Sequence, residues 1–279
     1  MSPALTAQAK LLDHRWGVQV IDPDGEISPA LFEFLANPQN GLSSRTAHYL
    51  RPAGTEAFAL PMLHVPDRSP QLCHDKSLRM LTIFGQAVDF GAGDYGPRLS
   101  KLFYMGALGL SLAGRPLVDL PELFTHDARH LRELIGSGFP FPFVRDEWHS
   151  FDVLSDRAFL EYRDPLMSRL MPVFGNERLR RVFGPQNPVD LARVLAQREV
   201  VLLDLSGLEH KDAVLVGKCY LSLLYHEALQ RPPNQAPHAC VIIDEVFDYM
   251  TVDLARGFDR LRKRNIQLVV AIQRLGQLQ

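Results

Sequence analysis

The chain has 279 residues, of which 46% are apolar, and its formal net charge at pH 7 is −2. This length allows one large domain or two ordinary ones. The charge excludes a global basic field, so any nucleic-acid contact must come from local patches or from an oligomer. The three cysteines, Cys73, Cys219 and Cys240, have no paired spacing, which argues against a disulfide framework or a zinc site and indicates a reducing compartment.

No membrane-spanning segment is predicted. The longest uncharged apolar stretch, Leu102 to Ala113, is too short to span a bilayer, and Met1 is not followed by a signal-peptide pattern. We therefore expect a cytoplasmic protein. Any anchor on the inner face of the cell membrane would lie outside these residues.

The first part of the chain predicts the end of an αβ unit. Residues Ala4 to Leu12 favour a helix, and Gly17 separates them from an apolar strand, Val18 to Ile21. The strand runs into Asp22-Pro-Asp-Gly-Glu26, a turn sequence that places acids at the carboxyl end of a strand. An ordinary polar turn is the alternative interpretation of these acids.

The pattern from Leu31 to Val65 is weak, and predicts a short helix and two short strands near His48 to Leu50 and Phe58 to Leu60. From about residue 66 to 196, helical periods are broken by Gly and Pro, which predicts a helical insertion that adds little or nothing to a sheet. The predicted helices are Asp75–Val88, Pro97–Ala113, Pro121–Ile135, Arg145–Leu154, Arg157–Phe174, Glu177–Phe183 and Val189–Gln197.

Alternating strands and helices are predicted again from an apolar strand, Glu199 to Leu205, which is followed by a helix from about Lys211 to Gln230. Two closing strands follow a Pro-rich loop, Cys240 to Ile243 and Ile266 to Ile272, and they are joined through a helix of crossover length. We expect these strands and Val18–Ile21 to lie in one mostly parallel sheet, with their carboxyl ends clustered.

The last two strands end in polar residues, Asp244-Glu245 and Gln273. Open parallel sheets bind ligands at the carboxyl edge, where these side chains would meet. In nucleotide-hydrolysing α/β proteins the first acid of such a pair holds Mg²⁺ and the second orients the attacking water. Ordinary polar strand ends are the alternative, since apolar strands ending in Asp or Asp-Glu occur in many α/β domains.

Other motifs are incomplete. Gly91 to Gly96 matches G-x-G-x-x-G, but no convincing strand precedes it, and His126 with His130 has no apparent third metal ligand. Gly217-Lys218 lies inside a predicted helix and lacks the first glycine of a phosphate-binding loop. The arginines between Arg178 and Arg181 are better interpreted as a solvated face than as a nucleic-acid contact.

Together these residues resemble the coupling ATPases of conjugation and type IV secretion, of the TraD/TraG kind, within the FtsK/HerA clade of P-loop motors. Val20 to Glu26 is similar to the strand and Asp-Pro-x-Gly-Asp/Glu turn that follow the phosphate-loop helix, and Val241 to Glu245 resembles the Walker B strand. Leu261 to Gln273 resembles the Arg-Lys helix end and the strand that finishes in a sensor glutamine. The helical stretch before Glu199 resembles the helical domain inserted into these motors.

The resemblance implies a RecA-like P-loop NTPase core with a mostly parallel sheet, formed by residues 1–65 and 197–279, and an inserted all-α subdomain, residues 66–196. It implies a hexameric ring that binds ATP and Mg²⁺ between subunits and moves DNA, expected to be single-stranded, through its centre. Secretion-channel or relaxosome proteins would be its partners.

The resemblance also implies the roles of site residues. Asp244 would hold Mg²⁺ through water, Glu245 would be the catalytic residue that positions the attacking water, and Gln273 would sense the γ-phosphate. Two further acids would lie beside the same site, Asp22 as a cofactor-binding residue and Glu26 as a catalytic residue.

Arg262 would reach phosphate charge within the subunit or across its boundary. One part of the family's motor is missing from these residues, because no G-x-x-x-x-G-K-[ST] loop occurs in the sequence. We therefore expect either a fragment of a motor, which does not turn over ATP alone, or a non-hydrolysing remnant that serves in assembly or in DNA or protein recognition.

Overall fold

The computed structural model describes residues 2–90, 96–185, 187–249, 257 and 260–271, without the side chains of His126 and Phe247. Five strands are present, β1 (Trp16–Asp22), β2 (Ala47–Leu50), β3 (Val200–Asp204), β4 (His238–Ile243) and β5 (Ile266–Val270). The helices are α1 (Pro3–Leu12), α2 (Ser28–Ala36), α3 (Pro70–Ala87), α4 (Gly96–Ala113), α5 (Leu120–Leu123), α6 (Arg129–Ser137), α7 (Pro142–His149), α8 (Asp156–Phe174), α9 (Glu177–Val182), α10 (Leu191–Ala196), α11 (His210–Gln230) and α12 (Val246–Tyr249).

The chain divides into two compact units, one formed by Met1–Phe58 with Val189–Gln279 and the other by Ala59–Pro188. The sequence pattern placed the boundaries at residues 66 and 196, so the second unit begins and ends a few residues earlier than expected. The first unit contains all five strands, and the described residues of the second contain helices, turns and one isolated bridge, Ala59 to Pro188.

The five strands form one parallel sheet in the order β2-β3-β1-β4-β5. This confirms the predicted mixed α/β fold with a parallel sheet. The strand predicted near His48 to Leu50 is β2, whereas the strand predicted at Phe58 to Leu60 is wrong, because only the isolated bridge forms there. The predicted last strand ends within the described residues at Val270, and Ile272 lies outside them.

The sheet core explains why β1, β3 and β4 are mainly apolar. On one face, alternate residues of these strands pack against α1 and α2, with Leu11, Leu31 and Leu35 fully or almost fully buried. The polar side chain of Gln19 on β1 is also buried. Its amide donates to the carbonyl oxygen of Glu199 at 3.2 Å and accepts from the Tyr220 hydroxyl at 2.6 Å, so both of its polar ends are satisfied.

In the first unit Gly217 lies within α11, as expected, so Gly217-Lys218 is not a phosphate loop. A Cβ added at Gly217 would lie 2.3 Å from the buried Tyr249 ring, so the glycine is needed for close packing. In the part of the chain that the structure describes, no helix combines the length and the apolarity needed to cross a bilayer.

In the second unit the helix predicted over Pro121–Ile135 is interrupted between α5 and α6. The guanidinium of Arg132 donates from Nη1 to the carbonyl oxygens of Leu123 and Thr125, at 2.9 and 3.0 Å. These bonds satisfy carbonyl groups that a continuous helix would bond internally. The prediction of one helix was therefore wrong for a tertiary reason.

The helix predicted over Arg145–Leu154 begins and ends earlier, as α7. Pro142 stands in its first turn, where a missing N–H costs nothing.

Candidate functional site

Three neighbouring strands end in an aspartate at the same edge of the sheet. Asp22 on β1 is the register partner of Asp204 on β3, and Asp244 directly follows β4, whose last residue pairs with Ile21. The backbone N–H of Asp244 donates to the carbonyl oxygen of Ile21 at 3.2 Å. The predicted clustering of Asp22 and Asp244 at one edge is therefore confirmed.

Asp22 is fully buried, and its carboxylate organises the turn that follows β1. Its two oxygens accept the backbone N–H groups of Gly25, Glu26, Ile27 and Ser28, at 2.9, 3.3, 2.9 and 2.6 Å. Since α2 begins at Ser28, the carboxylate also satisfies donors at the helix start that have no partner within the helix. This geometry gives Asp22 a positioning role in the turn, and its cofactor-binding role stays a prediction.

Gly25 is required by the same turn for two reasons. Its φ of +73° lies in the left-handed region, and a Cβ there would lie 2.6 Å from Ser206 Oγ and 3.0 Å from Asp204 Oδ1. Two features therefore fix the conformation of the Asp-Pro-Asp-Gly turn. The Asp22 carboxylate accepts its backbone N–H groups, and Gly25, which has no side chain, allows the turn to pack closely against the end of β3.

Asp244 and Glu245 form the part of the edge that solvent reaches. Both are half-buried, and Asp244 Oδ1 accepts the backbone N–H of Glu245 at 3.1 Å. Glu245 has a φ of +51°, which a non-glycine residue adopts rarely.

The pKa values of both carboxyl groups are raised. For Asp244 the main cause is burial, followed by the nearby carboxylates of Asp22 and Asp24, and the Glu245 N–H acts in the opposite direction. For Glu245 burial again comes first, followed by Asp24, Asp248 and Asp244. The edge is therefore a place where negative charge is concentrated and incompletely solvated.

His210, the first residue of α11, is a candidate counter-charge. Its Nε2 lies 3.8 Å from Asp248 Oδ2, and its charge lowers the pKa of Glu245. Sequence reasoning missed Asp24, Asp248 and His210. An isolated acid or a histidine at a helix start carries no signal of its own, and only the fold places these residues near the Asp244-Glu245 pair.

The remaining predicted residues have different locations. Glu26 is exposed, and its backbone N–H donates to Asp22. Arg262 lies near Trp16 and His238, the first residues of β1 and β4, beside a cavity of about 410 Å³. This is the opposite edge of the sheet, about 20 Å from Asp244 at about 3.3 Å a residue, so Arg262 cannot reach the acid pair of its own chain. Gln273 lies outside the described residues.

The end of β3 provides a further group that sequence reasoning missed. Asp204 is buried and accepts hydrogen bonds from the Tyr49 hydroxyl at 2.6 Å and from the N–H and Oγ of Ser206 at 3.0 and 2.6 Å. Arg51 Nε lies 3.3 Å from Asp204 Oδ2. The apolar run ending in Asp204 was the available signal, identical in kind to that of Asp244.

The half-buried pair, Asp244 and Glu245, fits a hydrated divalent cation. Among the described residues Oδ2 of Asp244 has no hydrogen-bond donor, and the surrounding carboxylates raise its pKa, a repulsion that a cation would remove. Within the same residues no group of three or more His, Cys, Asp or Glu is arranged as a metal cage. The geometry thus fits Mg²⁺ held through water and a ligand's oxygens, as Mg²⁺ prefers.

A scan of the chain against protein-family models found no match. A search of curated protein sequences also found none. Solved structures do match. VirB4 of Thermoanaerobacter pseudethanolicus is 16% identical to this chain with a TM-score of 0.55, over 96% of this chain and 66% of VirB4. The plasmid coupling protein TrwB in complex with the non-hydrolysable ATP analogue ADPNP is 15% identical with a TM-score of 0.55, over 94% of this chain and 58% of TrwB.

The chain therefore spans between 58% and 66% of the length of these two structures. At such identities the likeness establishes the fold. The chain has the RecA-like α/β fold, with its parallel sheet, of the plasmid coupling protein TrwB and of VirB4.

Proposed function

We propose that this chain is part of an ATP-driven coupling protein that translocates DNA in conjugative transfer or type IV secretion. The observation that carries the proposal is the Asp244-Glu245 pair at the end of a central parallel strand, beside the turn held by Asp22. The fold shared with TrwB and VirB4, and the ATP analogue bound by TrwB, support the same conclusion.

In this mechanism ATP with Mg²⁺ supplies the transferable phosphoryl group. Asp244 would hold a hydrated Mg²⁺, since among the described residues its Oδ2 accepts no hydrogen bond. Glu245 orients the attacking water and receives its proton, a task that the raised pKa of this carboxyl group assists. Asp22 keeps the adjacent turn, with Glu26, in position, and Gln273 is assigned the sensing of the γ-phosphate.

The assembly and the partners also belong to the proposal. A hexameric ring in the cytoplasm would pass single-stranded DNA through its centre and would contact secretion-channel or relaxosome proteins. Because Arg262 lies at the opposite edge of the sheet from Asp244, it would act only on the site of a neighbouring subunit. The same ring would place a nucleotide between subunits.

A non-hydrolysing remnant that serves in assembly or recognition is the second candidate. The observation that favours it is the absence of G-x-x-x-x-G-K-[ST] from the 279 residues. Positioning of the donor phosphates needs loop amides and a lysine, and these residues contain neither in that arrangement. Carboxylates that position a metal do not catalyse transfer unless the phosphoryl donor is also held.

An ATPase assay separates the two. We expect purified residues 1–279 to show no hydrolysis above a Glu245→Gln control, with or without single-stranded DNA. A version extended by the native preceding sequence, where that sequence encodes a phosphate loop, should hydrolyse ATP, and Glu245→Gln should abolish this activity. An extended protein that stays inactive would favour the remnant. Robust Glu245-dependent hydrolysis by residues 1–279 alone would show that another part of the protein holds the phosphates.

A further inference from the structure

The β2–β3 half of the carboxyl edge presents an arginine. Arg51 directly follows β2, and its Nε lies 3.3 Å from Asp204 Oδ2 while its Nη2 donates to Ser206 Oγ at 3.4 Å. The side chain remains 48% exposed. One side of the guanidinium is therefore fixed to the end of β3, and donors on its other side face solvent.

Asp204 does not depend on Arg51 for its hydrogen bonds. Three shorter bonds reach its carboxylate, from the Tyr49 hydroxyl and from the N–H and Oγ of Ser206, at 2.6, 3.0 and 2.6 Å. Burial and the bond to Asp204 raise the pKa of Tyr49 to about 12, so the hydroxyl remains a donor at neutral pH. The buried carboxylate is thus rigidly held, and it orients Arg51 in turn.

The chemistry of an oriented, half-exposed guanidinium suits phosphate. Arg binds phosphate oxygens through parallel N–H groups, and prior fixation of the side chain reduces the entropy lost on binding. Ligands of open parallel sheets lie at this edge. Three strand spacings of about 4.8 Å separate β2 from β4, so Arg51 lies about 14 Å from the Asp244 strand and serves a different part of the edge.

We propose that Arg51, oriented by Asp204, binds a phosphate group of a nucleotide or of a nucleic-acid strand at the carboxyl edge. The inference deepens the proposed function and rests on it for the identity of the ligand. Arg51 acts through direct contact, and Asp204 is a positioning residue.

The test compares Arg51→Ala with Arg15→Ala in the full chain. Arg15 is a matched control because its guanidinium pairs with Asp13 at 2.9 Å but lies before β1, at the other edge. The probes are a fluorescein-labelled oligo-dT strand, measured by anisotropy over a salt series, and ADPNP with Mg²⁺, measured by calorimetry. We expect Arg51→Ala to weaken one probe about tenfold, about 1.4 kcal/mol, and Arg15→Ala to change neither.

Further readouts separate contact from a structural role. If DNA is the ligand, the slope of log K against log salt should fall by about 0.7 in Arg51→Ala, and Arg51→Lys should recover part of the affinity. The Asp204→Asn background removes the charge that Arg51 neutralises. Because Asp204 no longer orients Arg51 there, Asp204→Asn should itself weaken binding of the same probe, and the further loss caused by Arg51→Ala should be smaller than in wild type. Wild-type affinity in Asp204→Asn, with the full Arg51→Ala loss retained, would overturn the proposal.

Two other results would also overturn the inference, and one of them leaves the proposed function intact. In the first, ADPNP with Mg²⁺ binds in a way that requires Asp244 but not Arg51, and DNA binding does not depend on Arg51. This result leaves the proposed function intact and contradicts the role of Arg51. Wild-type protein that binds neither probe contradicts it as well. A third result would separate the two proposals. If DNA binding depends on Arg51 but the extended protein does not hydrolyse ATP, phosphate binding by Arg51 is supported and the proposed ATP-driven motor function is contradicted.

Discussion

Asp22 and Asp204 are register partners on neighbouring parallel strands and are both buried, yet their carboxylates bind different groups. Within the described part of the chain, Asp22 accepts backbone N–H groups of the following turn, whereas Asp204 accepts side-chain and backbone donors and orients Arg51. Two of the three acids at this edge thus stabilise the fold. Oδ2 of the third, Asp244, accepts no hydrogen bond from the residues that the structure describes, which is why the candidate metal site is assigned to it.

The Asp22 carboxylate is expected to contribute strongly to stability. Asp22→Asn should lower the free energy of unfolding by about 2–3 kcal/mol, because the amide group would face donors that now bind a charged acceptor. Urea unfolding followed by circular dichroism measures this. Asp24→Asn, in the same turn but exposed, should stay within about 0.5 kcal/mol of wild type. Equal stability of the two variants would contradict the assigned role of Asp22.

Substitutions at Gly25 and Gly41 distinguish the cost of backbone strain at positive φ from the cost of a steric clash of the added Cβ. Both have positive φ, +73° and +65°, but a Cβ at Gly41 has nothing within 4 Å, whereas one at Gly25 meets Ser206. Gly41→Ala should cost about 1 kcal/mol of stability, and Gly25→Ala should cost about 1–3 kcal/mol more. Thermal unfolding of both variants checks the order. A smaller loss at Gly25 would mean that the turn moves easily away from β3.

The sheet could be predicted from the sequence because each central strand is a short apolar run followed by a polar end, and because helical crossovers impose parallel order. The carboxyl-edge location of Asp22 and Asp244 follows from that order. What could not be predicted is which acid is enclosed. The Asp22 carboxylate is enclosed by backbone N–H groups of its own turn. The position of these groups depends on the close approach of Gly25 to Ser206.

Contacts between distant residues account for the other differences. Tyr49 and Asp204 are 155 positions apart, and no local pattern joins them. Arg262 sits in a motif that the resemblance links to phosphate, but its position before β5 puts it at the amino edge. The helix break before α6 involves nearer residues, because the Arg132 guanidinium donates to carbonyl oxygens 9 and 7 positions earlier in the chain. Single-sequence periodicity contains none of this information.

Arg132 and Asp152 form a buried ion pair in the helical unit, 2.7 Å apart and about 5% exposed. Arg132→Ala should destabilise the protein by about 3–5 kcal/mol, because it leaves the Asp152 charge buried without its partner. Arg129→Ala is the control, since Arg129 pairs with Glu133 at 3.3 Å on the surface and should cost less than about 1 kcal/mol. Differential scanning calorimetry measures both, and similar losses would contradict the importance of burial.

The left-handed backbone of Glu245 predicts an unusual order of variant stabilities. Glu245→Gly should be more stable than Glu245→Ala by about 1 kcal/mol, because glycine adopts a φ of +51° without a Cβ penalty. At Asp248, inside α12, the order should reverse, since glycine is the poorer helix former by up to about 1 kcal/mol. Chemical denaturation of the four variants tests the pair, and the same order at both positions would argue against strain at Glu245.

Asp244 provides the most direct test of the candidate metal site. A raised pKa means that the folded state binds this proton more tightly than the unfolded state, so ionisation lowers stability as the pH rises through and above the usual carboxyl range. Asp244→Asn should therefore raise stability at pH 7 in metal-free buffer. The gain should be below about 1 kcal/mol, since the group is partly exposed, which is below about 2 °C in Tm, and it should vanish near pH 3.

Addition of Mg²⁺ should then make wild type more stable than Asp244→Asn, which reverses their order in metal-free buffer. Wild type should gain Tm with rising Mg²⁺ by mass action, because the ion binds the folded state, and Asp244→Asn should not. Asp248→Asn is the matched control: it also removes a carboxylate that raises the pKa of Glu245, but it leaves Asp244 intact and should retain the Mg²⁺ response. A Tm that falls in Asp244→Asn without metal would instead assign Asp244 to the fold, like Asp22. An equal Mg²⁺ response in all three proteins would place the ion elsewhere.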